Sequence, residues 1–445
     1  MNSPVLAPGG RGPRLGTMTP AARAPRDRYV DLLRATSICM VVFGHWMVSA
    51  ITLTDSELGY ANLLDVQPAT HPLTWVFQVM PVFFLVGGYA NAASLASPRR
   101  GTTAAWIRRR ALRLLRPSIL LIGTVLVARL VAVPLGLDAD LVRTATWAMV
   151  TPLWFLVVYL AVALLAPLAE AAHRRWGLGA VVALVVAVAI GDAARLVTGD
   201  VAPATGNYLF GWLAVHQLGF AWRDGLLPAT PARQWAFVAA GLGTALLLVG
   251  PGPYGVAMVG AATPPGLTNT APPTLALLAL ATAQLGAVLL LRGPGTAWVS
   301  RPGVWTGVVR INLRILTVFL WHMAALVIGG LVLVGWGLLP APETGTAAWF
   351  ALRLPWLAVN GLLLAGLVAL LGRFETGPRA DPADRPSPWA VGLGLVAVLA
   401  GLAALGVTDT VGMGPQVGGV PVVEASLVAV GLVILERAGR PARVH

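Results

Sequence analysis

Apolar runs long enough for a helix to cross a bilayer recur along the whole chain, and they confine it to a membrane. A helix needs about 20 residues to span roughly 30 Å of hydrocarbon. Twelve candidate spans follow, at residues 32–51, 74–95, 118–135, 152–169, 178–197, 208–222, 235–249, 274–291, 315–338, 347–371, 389–407 and 420–435. Composition agrees with them: of 445 residues, 57% are hydrophobic and 11% charged. The mean hydropathy is +0.77, far from that of ordinary soluble domains. The expected fold class is all-α, a polytopic transmembrane helical bundle.

The charges between the spans give an orientation. All 31 basic side chains are Arg, and they collect in the N-terminal tail and in every second loop. Arg23, Arg26 and Arg28 precede the first span; Arg99, Arg100, Arg108, Arg109, Arg110, Arg113 and Arg116 follow the second; Arg174 and Arg175, Arg223 and Arg233, Arg310 and Arg314, and Arg373 and Arg385 come later. The alternate loops carry acids instead, among them Asp65, Asp138, Asp140 and Glu343. By the positive-inside rule both termini face the cytosol. The net charge of +13 is therefore a topology signal, and no nucleic-acid partner is expected. Cys39 is the only cysteine, so no intrachain disulfide forms.

Residues 1–28, rich in Pro, Gly, Ala and Arg, read as a disordered basic cytosolic tail. Residues 29–372 form the transmembrane core, 373–388 a Pro-rich cytosolic linker, and 389–445 two extra transmembrane helices with a short basic tail. The uncharged stretch 251–273, crowded with Pro and Gly, reads as a re-entrant or surface segment.

Ionisable side chains within spans are expensive and mark candidate sites. Arg34 and His45 enclose ten residues of the first span. Eleven steps of about 100° complete three turns and roughly 20° more, so both side chains share one face, about 16 Å apart along the axis. Arg34 then lies at the cytosolic mouth and His45 beyond mid-membrane. Asp31, three residues before Arg34, is placed to hold its guanidinium. An interfacial anchor and a packing histidine are the alternative at this point.

The second span contains MPVFFLVGGYAN, where Pro81 interrupts the helix ladder and Gly87 and Gly88 permit close helix approach, with Tyr89 next. After it, RRRALRLLRP forms a short amphipathic basic element at the cytosolic surface. Its guanidinium forks suit the phosphates of a nucleotide or of coenzyme A, and equally anionic lipid headgroups. PLWFL opens the fourth span, AVHQLGFAWRDG puts His216 and Gln217 near mid-membrane in the sixth, and VFLWHM puts His322 in the ninth. No ligand spacing accompanies these histidines, so no metal is expected. Arg129, Asp192, Arg195 and Arg353 are second-rank candidates.

The ordered set DLLRATSICMVVFGH, MPVFFLVGGY, RRRALRLLRP, PLWFL and VFLWH, reaching from about residue 28 to 322, resembles the membrane-bound acyltransferase-3 family. That resemblance implies a ten-helix catalytic core, to which this chain adds two C-terminal helices. It also implies an acyl-CoA type donor on the cytosolic side, acetyl-CoA among the candidates, used as co-substrate with no bound cofactor. The acceptor would be a hydroxyl of an envelope carbohydrate, lipid or secondary metabolite. By position, Arg34 and His45 resemble the essential pair, with His45 as general base; Arg110, Arg113 and Arg116 resemble the donor-side basic loop; His322 resembles a recurring histidine near the end of the core. Asp31, Tyr89, His216 and Gln217 are assigned supporting roles. Gly87 stands where the family commonly has Ser, and no esterase-like domain follows the core.

The expected activity is thus O-acyl transfer, as in O-acetylation of cell-envelope material, by a multi-pass protein of a bacterial plasma membrane. A secondary transporter or exporter of a small or lipid-linked substrate is the alternative, and a scaffold whose histidines only tie helices together is a third reading.

Overall fold

Helices carry nearly all of the chain in this structure, a computed structural model describing residues 27–54, 57–97, 101–132, 134–260, 267–375, 384–406, 416–417 and 420–439. The expected tail over residues 1–26, Arg99 and Arg100, and the linker residues 376–383 lie outside the described residues. The main helices are α1 (Arg28–Val48), α2 (Met80–Leu95), α3 (Thr103–Ala132), α4 (Ala139–Val150), α5 (Leu153–Leu164), α6 (Ala166–Trp176), α7 (Gly179–Thr198) and α8 (Asn207–Arg223). There follow α9 (Pro231–Val249), α10 (Leu275–Leu290), α11 (Arg292–Val299), α12 (Pro302–Leu313), α13 (Ile315–Gly330), α14 (Arg353–Leu371), α15 (Pro388–Gly406) and α16 (Val422–Arg437).

Among the described residues nine helical stretches are long and apolar enough to cross a membrane, ten if the bent pair α10 and α11 forms one span. This is a multi-pass membrane protein. Each of the twelve expected spans contains helix, but α8 and α16, with 17 and 16 residues, are shorter than the nine.

Three local features depart from the sequence reading. The fold is not purely α: β1 (Ser49–Thr54) and β2 (Glu57–Asn62) form an antiparallel hairpin directly after α1, where the β-branched residues of SAITLT favour extended backbone. The basic element is not separate from the third span, since α3 runs unbroken from Thr103 to Ala132 with Pro117 inside it. The fourth span begins earlier than residue 152. Asp138 caps α4 by accepting from the Leu141 N–H at 2.8 Å. The helix then breaks before Pro152, whose missing N–H cannot continue the ladder.

Helix α1 is the hub of the bundle, packed against α2, α11, α12, α13 and α14. Glycines set the crossing of α2 and α8: a Cβ at Gly88 would overlap the His216 carbonyl, and one at Gly219 would overlap the Leu85 carbonyl and the Tyr89 amide. Only hydrogen at both positions permits this backbone contact, which brings Asn91 of α2 next to His216 of α8. Residues 261–266 of the uncharged stretch lie outside the described residues; Met258 within it docks just before α2, where the Gln78 amide donates to the Met258 carbonyl at 2.5 Å and the Thr74 hydroxyl accepts from the Met258 N–H at 2.8 Å. The added helices α15 and α16 pair with each other and lean on α3 and α5.

Candidate active site

The mouth of the site forms where α1 starts. Asp27 caps α1 through Oδ1, accepting from the Tyr29 and Val30 N–H groups at 3.0 and 3.3 Å. Its Oδ2 accepts from Arg292 at 2.7 Å and from the Tyr89 hydroxyl at 3.3 Å. Tyr89 therefore braces the mouth through Asp27. Asp31 does not hold Arg34, because among the described residues no ion pair joins the two. Asp31 is buried, with its carbonyl accepting from the Asn312 side chain of α12 at 2.9 Å, while Arg34 stays half-buried.

Three turns further along α1, His45 meets His322 of α13, with His45 Nδ1 2.9 Å from His322 Nε2. His322 is fully buried, and its Nδ1 lies 2.5 Å from the Phe319 carbonyl oxygen. A carbonyl can only accept, so Nδ1 of His322 carries its proton and Nε2 of the neutral ring presents a lone pair. That lone pair accepts from Nδ1–H of His45. The chain of donors leaves the lone pair of His45 on Nε2, the nitrogen facing away from the dyad. Neighbouring bonds tie together the helix backbones that carry the rings: the Trp46 indole N–H donates to the His322 carbonyl at 2.9 Å, and the Trp356 indole N–H to the Trp46 carbonyl at 3.0 Å. Glu375 pins the start of α13, accepting from the Leu316 and Thr317 N–H groups at 3.0 and 2.9 Å and from the Thr317 hydroxyl at 2.7 Å.

Across from Arg34, α3 presents its arginines on two flanks. The guanidinium of Arg110 donates to the Asn91 side-chain oxygen, and the Asn91 amide donates to His216 Nε2 at 3.0 Å. His216 is fully buried and its Nδ1 has no partner among the described residues. Its role is therefore to hold Asn91, and through it Arg110. Arg34 and Arg113 both lie close enough to Arg110 for their charges to act on it. Among the described residues none of these three forms an ion pair with a carboxylate, so three guanidiniums share one place and invite an anion.

Two expected site residues fall elsewhere. Arg116 pairs with Glu436 of α16 at 3.2 Å; six residues at about 100° each turn it roughly 120° away from Arg110. The Gln217 amide donates to the Ala169 carbonyl at 2.9 Å, since neighbouring residues on α8 diverge by about 100° and cannot both face Asn91. Among the second-rank candidates, Asp192 clamps the loop to α8 and α10 by accepting from Tyr254, Asn207 and the Leu275 N–H at 2.9–3.0 Å. Arg129 donates to the Thr146 hydroxyl at 2.8 Å.

The sequence reading missed Asn91, Tyr159 and Glu375. The Tyr159 ring of α5 packs over Gly87, its hydroxyl 3.3 Å from where a Cβ would stand, and its oxygen also acts electrostatically on Arg110. A hydroxyl thus occupies the region left open by the glycine. The signal was the unexplained gap at Gly87, which spacing alone cannot match to a residue 72 positions later.

Comparison with known proteins matches the sequence to one family. The family model described as an acyltransferase domain, of the acyltransferase-3 type, matches residues 27–374, from the cap of α1 to the turn that follows α14. No curated protein and no solved structure matches the chain.

Proposed function

Because this chain belongs to the membrane-bound acyltransferase-3 family, we propose that it is an O-acyltransferase that moves an acyl group from an acyl-CoA type donor to a hydroxyl of an envelope carbohydrate, lipid or secondary metabolite. The observation that carries this reading is the His45–His322 contact, which dedicates one nitrogen of His45 to accepting a proton.

Arg34, Arg110 and Arg113 hold the donor's phosphates at the cytosolic mouth. The thioester reaches along the polar face of α1 toward His45. The acceptor hydroxyl gives its proton to Nε2 of His45 as its oxygen attacks the thioester carbonyl. Positive charge developing on His45 is shared through Nδ1–H with the neutral ring of His322, which Phe319 holds in the accepting tautomer. The C–S bond breaks, the proton passes from His45 to the departing sulfur, and an ester and a free thiol result.

Purified protein given labelled acetyl-CoA and envelope extract tests this. His45→Ala is expected to lower transfer by about 10²- to 10⁴-fold, the usual contribution of a general base, while the unfolding temperature stays close to the parent's. Equal transfer by the variant sinks the assignment.

A further inference from the structure

Arg353 opens α14 at the end of the bundle away from Arg34, Arg110 and Arg113. Its Nη1 donates to the Ser49 carbonyl at 3.1 Å, just past the last turn of α1. The residue is 9% exposed, and its guanidinium carbon lies 3.9 Å from the ring centroid of Trp349 and 5.1 Å from that of Trp356. Among the described residues it has no carboxylate partner, and its Nε is enclosed with no acceptor. Two indole faces and one carbonyl therefore hold a cation whose Nε and Nη2 have no hydrogen-bond partner among the described residues. Nη2, the donor that the fold neither pairs nor encloses, can grip a carboxylate or phosphate oxygen. Taking a guanidinium out of water is costly, and cation–π contacts offset only part of that cost. An anion from outside the chain would supply what the protein leaves out.

The cation is also wired to the reaction centre. Trp356, one turn along α14, donates to the Trp46 carbonyl, and Trp46 donates to the His322 carbonyl. The Ser49 N–H donates to the His45 carbonyl, which places Ser49 about 6 Å beyond His45 along the axis. The Ser49 and Tyr60 hydroxyls lie 3.2 Å apart at the same turn. The donor's phosphates belong to the opposite end, so an anion gripped here belongs to the other substrate.

We infer that Arg353 is an acceptor-binding residue that holds a carboxylate or phosphate carried by the acceptor and so presents a nearby hydroxyl to His45. The inference rests on the acyl-transfer reading above. It specifies the acceptor class as an anionic hydroxyl compound.

The test uses the full chain in detergent, with methyl glucuronide, glucose 6-phosphate and neutral methyl glucoside as probes. Equilibrium binding of each is measured on wild type, Arg353→Gln and Arg353→Lys, alongside unfolding temperature and the release of CoA from acetyl-CoA by wild type. At least one anionic sugar should bind wild type about tenfold or more tightly than the neutral one, the effect of a charge-assisted hydrogen bond. Which anionic sugar is preferred identifies carboxylate or phosphate. Arg353→Gln should abolish the preference, and Arg353→Lys, which keeps the charge without the fork, should restore part of it. Equal binding of all three sugars by wild type overturns the inference whatever the variants do to folding, and so does a preference that survives in folded Arg353→Gln. An anion preference without any CoA release sinks the transfer reading and leaves this subsite standing; CoA release without an anion preference does the reverse.

Discussion

The two flanks of α3 hold arginines under opposite conditions. Arg108 pairs with Asp384 at 2.9 Å and donates to the Leu435 and Glu436 carbonyls at 2.6 and 3.1 Å, while Arg116 pairs with Glu436. On the other flank Arg110 has the neutral Asn91 oxygen as acceptor, and Arg113, like Arg34 opposite, has no carboxylate among the described residues. Acids at this end of the bundle are already engaged. Asp27 serves Arg292 and the cap of α1, Glu375 serves the start of α13, and Asp384 and Glu436 serve the first flank. The difference teaches where an anionic ligand can compete. A cation already neutralised by the protein fastens α15 and α16 to the core; one without an opposite charge remains available to a phosphate.

Exchanging the flanks gives the largest effects. Arg110→Met should raise the donor KM about 10- to 100-fold, the loss of a hydrogen bond to a charged group. It should not lower the unfolding temperature, because it removes a half-buried cation that lacks a counter-charge. Arg108→Met should do the opposite. Arg108 and Asp384 have side chains 12% and 8% exposed, so stranding Asp384 costs about 3–5 kcal/mol while the donor KM stays near the parent's. Steady-state kinetics and thermal unfolding in one detergent separate the two outcomes. A swap of the phenotypes, with Arg108→Met failing on donor and Arg110→Met unfolding, would break the comparison.

Part of this was legible before any coordinates. The spacing of Arg34 and His45 is a short-range property of one helix, and helical geometry carries it directly to a shared face. The histidine at 322 could be singled out because it sits in an apolar run, but its contact with His45 joins residues 277 positions apart. No periodicity encodes such a pairing. Arg116 was grouped with Arg110 because a basic run looks uniform in one dimension, whereas the helix turns its members toward different neighbours. Gln217 was grouped with His216 for the same reason. The spans were recognisable from hydropathy alone, yet the break before Pro152 and the hairpin after α1 depend on local capping and β-branching that a hydropathy window averages away. Glu375 lay in what read as a linker, and its value appears only because α13 begins beside it.

A smaller effect is expected there. Glu375 is the acid that serves a helix terminus rather than an arginine, so Glu375→Gln keeps the shape and removes the charge facing the start of α13. Losing such a cap costs about 0.5–2 kcal/mol. The start of α13 loosens three to four residues before Phe319, whose carbonyl holds the tautomer of His322. Turnover should therefore fall while the donor KM holds, the reverse of Arg110→Met. Measured kcat and KM decide it, and an unchanged kcat in a destabilised protein would detach Glu375 from the dyad.

The smallest effect belongs to Arg116. Its pair with Glu436 leaves the two side chains 36% and 38% exposed, and water and salt screen a bridge of that kind to about 0.2–1 kcal/mol. Arg116→Ala should therefore shift the unfolding temperature only slightly, and the shift should shrink further as salt is raised. Donor KM should remain at the parent's value, because the helix turns this guanidinium toward α16. The Arg116→Ala titration with acetyl-CoA sharpens the comparison at its weakest point. A rise in KM as large as that of Arg110→Met would show that the donor's phosphates reach around α3 to the flank where its arginines are already paired.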